Sequence, residues 1–183
     1  MAEVFFPFKL GASERKITTV LIVVVLAATV LPLAGAVVAY FTTGQPVAIV
    51  AAVAIFVSLV PVVFLPGYAP AGAVVTPEEL RIVKRKRGPV VLPAAQIVSL
   101  EPIDASTLRG CIRTFGCGGL FGSWGRFRCK ALGAFRGYIT DAKSLVLIHT
   151  ASEGLFVISP ESPQEFVARA AEVLKLPASR AAH

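Results

Sequence analysis

Residues 17–40 read ITTVLIVVVLAATVLPLAGAVVAY, a run of 24 residues without a charged side chain. As an α-helix this run would be about 36 Å long, which exceeds the roughly 30 Å hydrocarbon thickness of a bilayer. A helix that is apolar on every side needs a large protein to bury it in water, and this chain has only 183 residues. The run therefore predicts a transmembrane helix over residues 17–41.

A second apolar run follows at once, PVAIVAAVAIFVSLVPVVFL at residues 46–65. Its first residue, Pro46, suits the first position of a helix, and Thr42-Thr43-Gly44-Gln45 before it is polar. We expect an extracytoplasmic turn over 42–45 and a second transmembrane helix over 46–68. A secretory signal peptide is the alternative for the first run, because Ala34-Gly35-Ala36 resembles a cleavage site.

Basic residues flank the two runs, at Lys9, Arg15 and Lys16 before them and at residues 81–87 after them, whereas the predicted turn carries no charge. The positive-inside rule then predicts a multi-pass protein of the plasma membrane with both termini in the cytoplasm. Residues 1–16 contain Val4-Phe5-Phe6-Pro7-Phe8, and they are predicted to form a cytoplasmic interfacial segment with an aromatic anchor.

After residue 72 the apolar runs become short and are separated by turn residues, which is typical of strands. Seven strands are predicted, at 72–75, 80–84, 90–92, 96–101, 133–138, 144–149 and 155–159. A helix follows, with Ser162 as N-cap, Pro163 at the first helical position and Glu165 completing a capping box. The fold class is therefore α+β, with a β barrel or sandwich closed by one helix and a tail at 177–183.

The order of seven strands and one capping helix resembles the pleckstrin-homology (PH) superfold. The stretch RTFGCGGLFGSWGRF at 113–127, with Leu132-Gly133, YITD at 138–141 and VISP at 157–160, is similar to the prokaryotic PH-like family found behind two membrane helices. The resemblance covers residues 72–176. It implies a seven-stranded PH-like domain in the cytoplasm with a role in binding or assembly.

Two segments supply candidate binding residues. The first is Lys84-Arg85-Lys86-Arg87, which could contact anionic lipid head groups or could serve only as a positive-inside signal. The second is the segment 104–138, with eight glycines and six basic residues against one acid. Interleaved aromatic and basic side chains suit a membrane interface or a partner groove. Its candidate residues for lipid or partner binding are Arg113, Phe121, Trp124, Arg126, Phe127 and Arg128.

The alternative for the glycine-rich segment is a structural lid, whose aromatic side chains fold back to plug the barrel. Single-stranded nucleic acid also binds basic and aromatic surfaces, but the glycines repeat in no RNA-binding pattern, and we expect no nucleic-acid partner. Cys111, Cys117 and Cys129 lack the close pairing of metal ligands, so no metal or cofactor is predicted. No catalytic motif occurs either, and the protein is not expected to be an enzyme.

The sequence thus predicts a membrane-anchored PH-like module on the cytoplasmic face that binds a membrane or cytoplasmic protein partner or forms a homo-oligomer. Two alternatives remain open. The chain could be a structural accessory subunit of a larger membrane complex, or a sensor of anionic lipid in the bilayer.

Overall fold

The structure is a computed structural model that describes residues 3–43, 50, 53–55, 57, 60, 64–118 and 121–176. About half of the predicted second transmembrane helix lies outside the described residues. The same holds for half of the predicted 42–45 turn, and its described half, Thr42-Thr43, belongs to the long N-terminal helix. The described parts form one long N-terminal helix and a domain of two β-sheets with a short C-terminal helix.

Helix α1 comprises Ala12–Thr43 and begins five residues before the apolar run. Its 32 residues give a length of about 48 Å. In its most apolar stretch only 11% of the residues are buried, so nearly all of its valine and leucine side chains are exposed. Among the described residues, α1 is the one helix that is long and apolar enough to cross a membrane.

The first sheet contains four antiparallel strands, β1 (Val4–Pro7), β2 (Pro70–Val75), β3 (Glu79–Lys84) and β4 (Val90–Pro93), in the order β1-β2-β3-β4. Strand β1 precedes α1 in the chain, yet it pairs with β2, so that Val4 lies opposite Val75 and Phe6 opposite Ala73. The segment expected to be an aromatic interfacial anchor is therefore a strand of the domain.

The second sheet has six strands in the order β5-β9-β10-β8-β7-β6. They are β5 (Ile97–Ile103), β6 (Ile112–Gly118), β7 (Ser123–Cys129), β8 (Gly133–Ile139), β9 (Leu145–Thr150) and β10 (Gly154–Ile158). Neighbouring strands are antiparallel except for β8 and β10, which are parallel.

The described residues thus contain ten strands, and the predicted count of seven is wrong. The three missed strands are β1, β6 and β7. Strand β1 is only four residues long and is separated from β2 by more than sixty residues of sequence. In β6 and β7 the many glycines lower β propensity and interrupt the period-two alternation that marks a strand.

Helix α2 (Pro163–Val173) begins at the predicted position, with Ser162 at the N-cap, but the Ser162 side chain forms no capping hydrogen bond. Its apolar stripe closes a core that both sheets line. Phe166 is fully buried, and Phe6 of β1 packs on it edge-to-face with 4.9 Å between ring centroids. The mixed α+β sandwich closed by one helix is as predicted.

The start of α1 is bound to this domain. Gly11 N–H donates to the carbonyl oxygen of Thr140 at 2.9 Å, and Lys9 forms an ion pair with Glu161. Thr140 is itself held by Ser159, whose buried Oγ accepts from the Thr140 N–H at 2.6 Å. These contacts fix the base of α1 against the loops that follow β8 and β10.

Candidate functional site

The basic segment 84–87 follows directly from β3 and is fixed by its backbone. Arg85 N–H donates to the carbonyl oxygen of Ala69, and Lys86 N–H donates to that of Gly67, both at 3.0 Å. The bend is thereby held against the 3-10 turn Leu65–Tyr68, which connects the preceding apolar run to β2. The side chains of Arg85, Lys86 and Arg87 remain exposed.

Two of these arginines lie on aromatic rings. The guanidinium of Arg87 is 4.4 Å from the ring centroid of Tyr68, and that of Arg85 is 5.1 Å from the ring centroid of Phe121. Tyr68 in turn stacks on Trp124, with 5.6 Å between centroids and 16° between planes. We call these five residues the aromatic–basic cluster. It unites the two segments that the sequence predicted separately, and each cation–π contact contributes about 0.5–1 kcal/mol.

The described part of the glycine-rich segment from Ile112 to Cys129 forms a β-hairpin of strands β6 and β7. Gly116 of β6 and Gly125 of β7 face each other with φ values of 115° and 137°. A Cβ at Gly125 would lie 2.1 Å from the carbonyl oxygen of Phe115, so a side chain cannot fit there. The glycines let two distorted strands approach closely, which extends the second sheet and keeps its aromatic side chains away from the core between the sheets.

The hairpin also contacts helix α1. Phe121 lies in the connection between β6 and β7, with a φ of 59°, and its N–H donates to Oγ1 of Thr18 at 3.0 Å. The aromatic–basic cluster therefore lies beside the first turns of α1. Trp124 is partly buried within it, and its Nε1 is buried without a hydrogen-bond partner among the described residues.

A basic cleft opens on one face of β6–β8. It consists of two adjoining cavities of about 310 and 250 Å³, and Arg126 and Arg136 line both. Arg128 lines the first cavity and Lys84 the second. The one carboxylate in the lining, Glu153, forms an ion pair with Arg136 at 2.9 Å. In the described part of the chain no carboxylate forms an ion pair with Arg126 or Arg128.

The remaining predicted site residues are Arg113 and Phe127. Arg113 pairs with Phe127 across β6 and β7, and directly paired residues share a face of a sheet. Arg113 extends over Gly118, and the Phe127 ring stacks on Phe135 at 5.3 Å while covering Gly137. Phe127 therefore packs against the small outer core of the second sheet and also contributes to the lining of the first cavity.

Phe115, Tyr68 and Tyr138 were not predicted from the sequence to be site residues. Phe115 is 75% exposed at the rim of the cleft, although phenylalanine in a strand usually packs. Burial raises the pKa of Tyr138, which lines the second cavity and whose ring centroid lies 6.0 Å from Nζ of Lys84. Because aromatic residues are common in strands, only the tertiary arrangement identifies these three.

The three cysteines divide between two environments. Cys111 and Cys129 pack together in the outer core, and burial together with the neighbouring Cys129 thiol raises the pKa of Cys111 to about 12. Cys117 pairs with Trp124 on the face of the cleft. Within the described ranges, no group of three or more histidine, cysteine or acidic side chains could hold a metal ion.

Comparison with known proteins gives one result, and it concerns the domain. The family model described as "Bacterial PH domain" matches residues 71–173, from the second residue of β2 to the last residue of α2. No curated protein and no solved structure matches the chain significantly. The match spans more than half of the sequence and coincides with the two-sheet domain just described. The chain belongs to the bacterial PH domain family.

Proposed function

We propose that this protein is a membrane-anchored interaction module, in which α1 and the apolar run after it hold the PH domain on the cytoplasmic face of the plasma membrane, where the domain binds a protein partner. PH domains are generally non-catalytic modules that bind lipids or proteins. The cleft offers exposed cations and an exposed aromatic side chain, which suits binding rather than a reaction.

The β1–β2 pairing supports the anchor. Strand β1 precedes α1, and β2 follows the second apolar run, yet the two strands are hydrogen-bonded neighbours. If α1 crosses the bilayer, the chain must cross again before residue 70 to return to the side on which it started. The pairing therefore favours two crossings, and the basic residues on this side favour the cytoplasm.

The exposed surface of α1 supports the same anchor. Large apolar side chains such as Val24, Leu31 and Phe41 are 55%, 72% and 81% exposed. A soluble protein rarely exposes a contiguous apolar surface of this kind, and lipid would cover it.

The contacts at the base of α1 support a fixed orientation. The bonds from Gly11 to Thr140 and from Phe121 to Thr18 link two different loops of the domain to the helix, and the Lys9–Glu161 ion pair adds a third point. Three points of attachment prevent the domain from rotating about the helix. The cleft would then have a constant direction relative to the bilayer, as recognition of a membrane-bound or peripheral partner requires.

The observation that best supports a binding role is that Phe115 is 75% exposed beside the arginines of the cleft. The test is photocrosslinking in intact cells with p-benzoylphenylalanine in place of Phe115. The matched control carries it in place of Val98, which is exposed on β5 at the opposite edge of the same sheet.

We expect a discrete protein adduct at position 115 and none at 98. Adducts with lipid alone, or equal labelling at both positions, would refute the proposal. An adduct with a second copy would indicate self-association, and a stoichiometric set of other subunits would indicate an accessory role in a complex.

A second candidate function, contact with anionic lipid, is favoured by the aromatic–basic cluster. Arg85 and Arg87 lie on rings beside the first turns of α1, where head groups would be found, and each cation near an anionic surface contributes about 1 kcal/mol. The test uses the full chain in nanodiscs with and without phosphatidylglycerol, and the fluorescence of Trp124, the sole tryptophan, reports on the cluster.

We expect a spectral shift with anionic lipid that the R85Q/R87Q double variant loses and that the control variant K130Q, altered at the exposed turn between β7 and β8, retains. A shift that persists in R85Q/R87Q would exclude these arginines as the lipid contacts.

A further inference from the structure

The second sheet ends in an open edge at β6. No described strand lies beyond β6 in the order β5-β9-β10-β8-β7-β6, and its first five residues are all exposed. An unpaired edge presents backbone N–H and C=O groups to which another extended segment can pair.

Strand β6 also forms one wall of the basic cleft. A β-bulge between Arg113 and Phe115 changes the direction of the strand, so that Thr114 lines the first cavity and Phe115 the second. Backbone hydrogen-bonding groups, an exposed aromatic ring and the guanidinium groups of Arg126 and Arg128 thus occur along the same edge.

We propose that the edge of β6 and the basic cleft together bind an extended acidic segment of a partner protein, which adds as a strand to β6 and places carboxylate side chains on Arg126 and Arg128. This inference rests on the proposed function and names the class of partner. Phe115 supplies the apolar anchor in the middle of the interface.

Charge distinguishes this occupant from a second copy of the chain. Two β6 edges paired with each other would add the positive charges of Arg113, Arg126 and Arg128 in one copy to those of the other, and neither β6 nor β7 carries a carboxylate to offset them. An acidic segment has the complementary charge, because Arg126 and Arg128 have no ion-pair partner among the described residues.

The distance between the base of α1 and the first cavity argues against lipid as the occupant of that cavity. The hairpin turn is beside Thr18 at the base of α1, and Arg128 lies toward the far end of β7. From Ser123 to Arg128 the strand extends by roughly 17 Å. Since the Debye length is about 8 Å at physiological ionic strength, head groups at the base of α1 are largely screened from the first cavity. The lipid candidate concerns the arginines of the aromatic–basic cluster. The peptide site extends from the second cavity, which Tyr68 and Trp124 of that cluster also line, to Arg128 at the opposite end of the hairpin.

The test measures fluorescence anisotropy with the full chain in neutral nanodiscs and three labelled nine-residue peptides. The first alternates glutamate and valine, with phenylalanine in the centre. The second replaces each glutamate with lysine. The third has the first sequence with alternate backbone nitrogens methylated, which removes the donors needed for strand pairing but keeps the charge.

We expect saturable binding of the first peptide and a loss of at least about tenfold for the other two. The double variant R126Q/R128Q should weaken the first peptide by about tenfold, as the removal of two partly exposed ion pairs implies. The matched control R109Q, which changes an exposed arginine outside the cleft, should bind as the unaltered chain does.

Three results would overturn the proposal. The methylated peptide could bind as well as the first, or R126Q/R128Q could leave binding unchanged. Alternatively, phosphatidylglycerol in the nanodisc could displace the peptide from the unaltered chain, which would assign the cleft to lipid. If the first peptide does not bind but a protein adduct still forms at position 115, the acidic segment is rejected and the proposed interaction module is retained.

Discussion

Truncation of Phe6 can show whether the segment before α1 is a strand of the domain, as in the structure, or an interfacial anchor, as the sequence suggested. An interfacial anchor would use Phe5 and Phe6 alike. In the structure Phe6 packs on the fully buried Phe166, whereas Phe5 is 54% exposed. The two neighbouring phenylalanines should therefore respond very differently to truncation.

The expected magnitude follows from burial. Removing a fully buried phenylalanine side chain costs about 3–5 kcal/mol, and Phe6 is only partly buried, so F6A should cost roughly 2 kcal/mol. The exposed control F5A should cost less than about 1 kcal/mol. For a domain of this size 1 kcal/mol corresponds to about 4 °C in Tm, which predicts a shift of roughly 8 °C for F6A.

The assay is thermal unfolding of the full chain in detergent, followed by Trp124 fluorescence. A third variant, F6L, keeps most of the apolar volume and should recover most of the lost stability. Equal shifts for F5A and F6A, or an unchanged Tm in F6A, would show that the segment before α1 does not belong to the domain.

Three further predictions concern the domain. S159A removes the hydroxyl oxygen that accepts from the buried N–H of Thr140, so the free energy of unfolding measured in urea should fall by about 2 kcal/mol. A loss below about 0.5 kcal/mol would contradict the importance of this buried hydrogen bond. G125A would push a Cβ into the carbonyl oxygen of Phe115 and should raise hydrogen exchange throughout the β6–β7 hairpin. The control G88A, where a Cβ meets open space, should leave that exchange unchanged, and equal exchange in the two variants would argue against the close approach. Because the pKa of Cys111 is raised to about 12, the thiolate fraction of this residue should still be rising between pH 8 and pH 11. Its alkylation rate, followed by peptide mass spectrometry, should rise over the same range, and a plateau near pH 9 would contradict the raised pKa.

Local signals made much of the fold predictable. The helix start at Pro163 and the strands around Leu80 and Ile148 follow from capping residues and short apolar runs, which act over a few residues of sequence. The β6–β7 hairpin was not predictable in this way. Its glycines read as a loop, and only the pairing of Gly116 with Gly125 shows why they are required in a sheet.

The candidate site was predictable in part. The basic segment 84–87 and Trp124 were both selected from the sequence, yet nothing local connects them, because their contact depends on the bends at residues 65–69 and 121–122. Arg126 and Arg128 both line the cleft, whereas the ring of Phe127 between them stacks on Phe135, because alternate residues of a strand point in opposite directions.

The sequence by itself determined where the chain is apolar and where it is charged. This distribution defines the long helix α1, the two-sheet domain and the excess of basic residues after residue 77. Only the tertiary structure decided that the segment before α1 joins the domain, that the glycine-rich stretch is a sheet edge, and that arginines and aromatic rings distant in sequence meet. Composition and periodicity report each residue's preference for water or for a local conformation, whereas strand pairing across sixty residues depends on which surfaces fit together once the chain has folded.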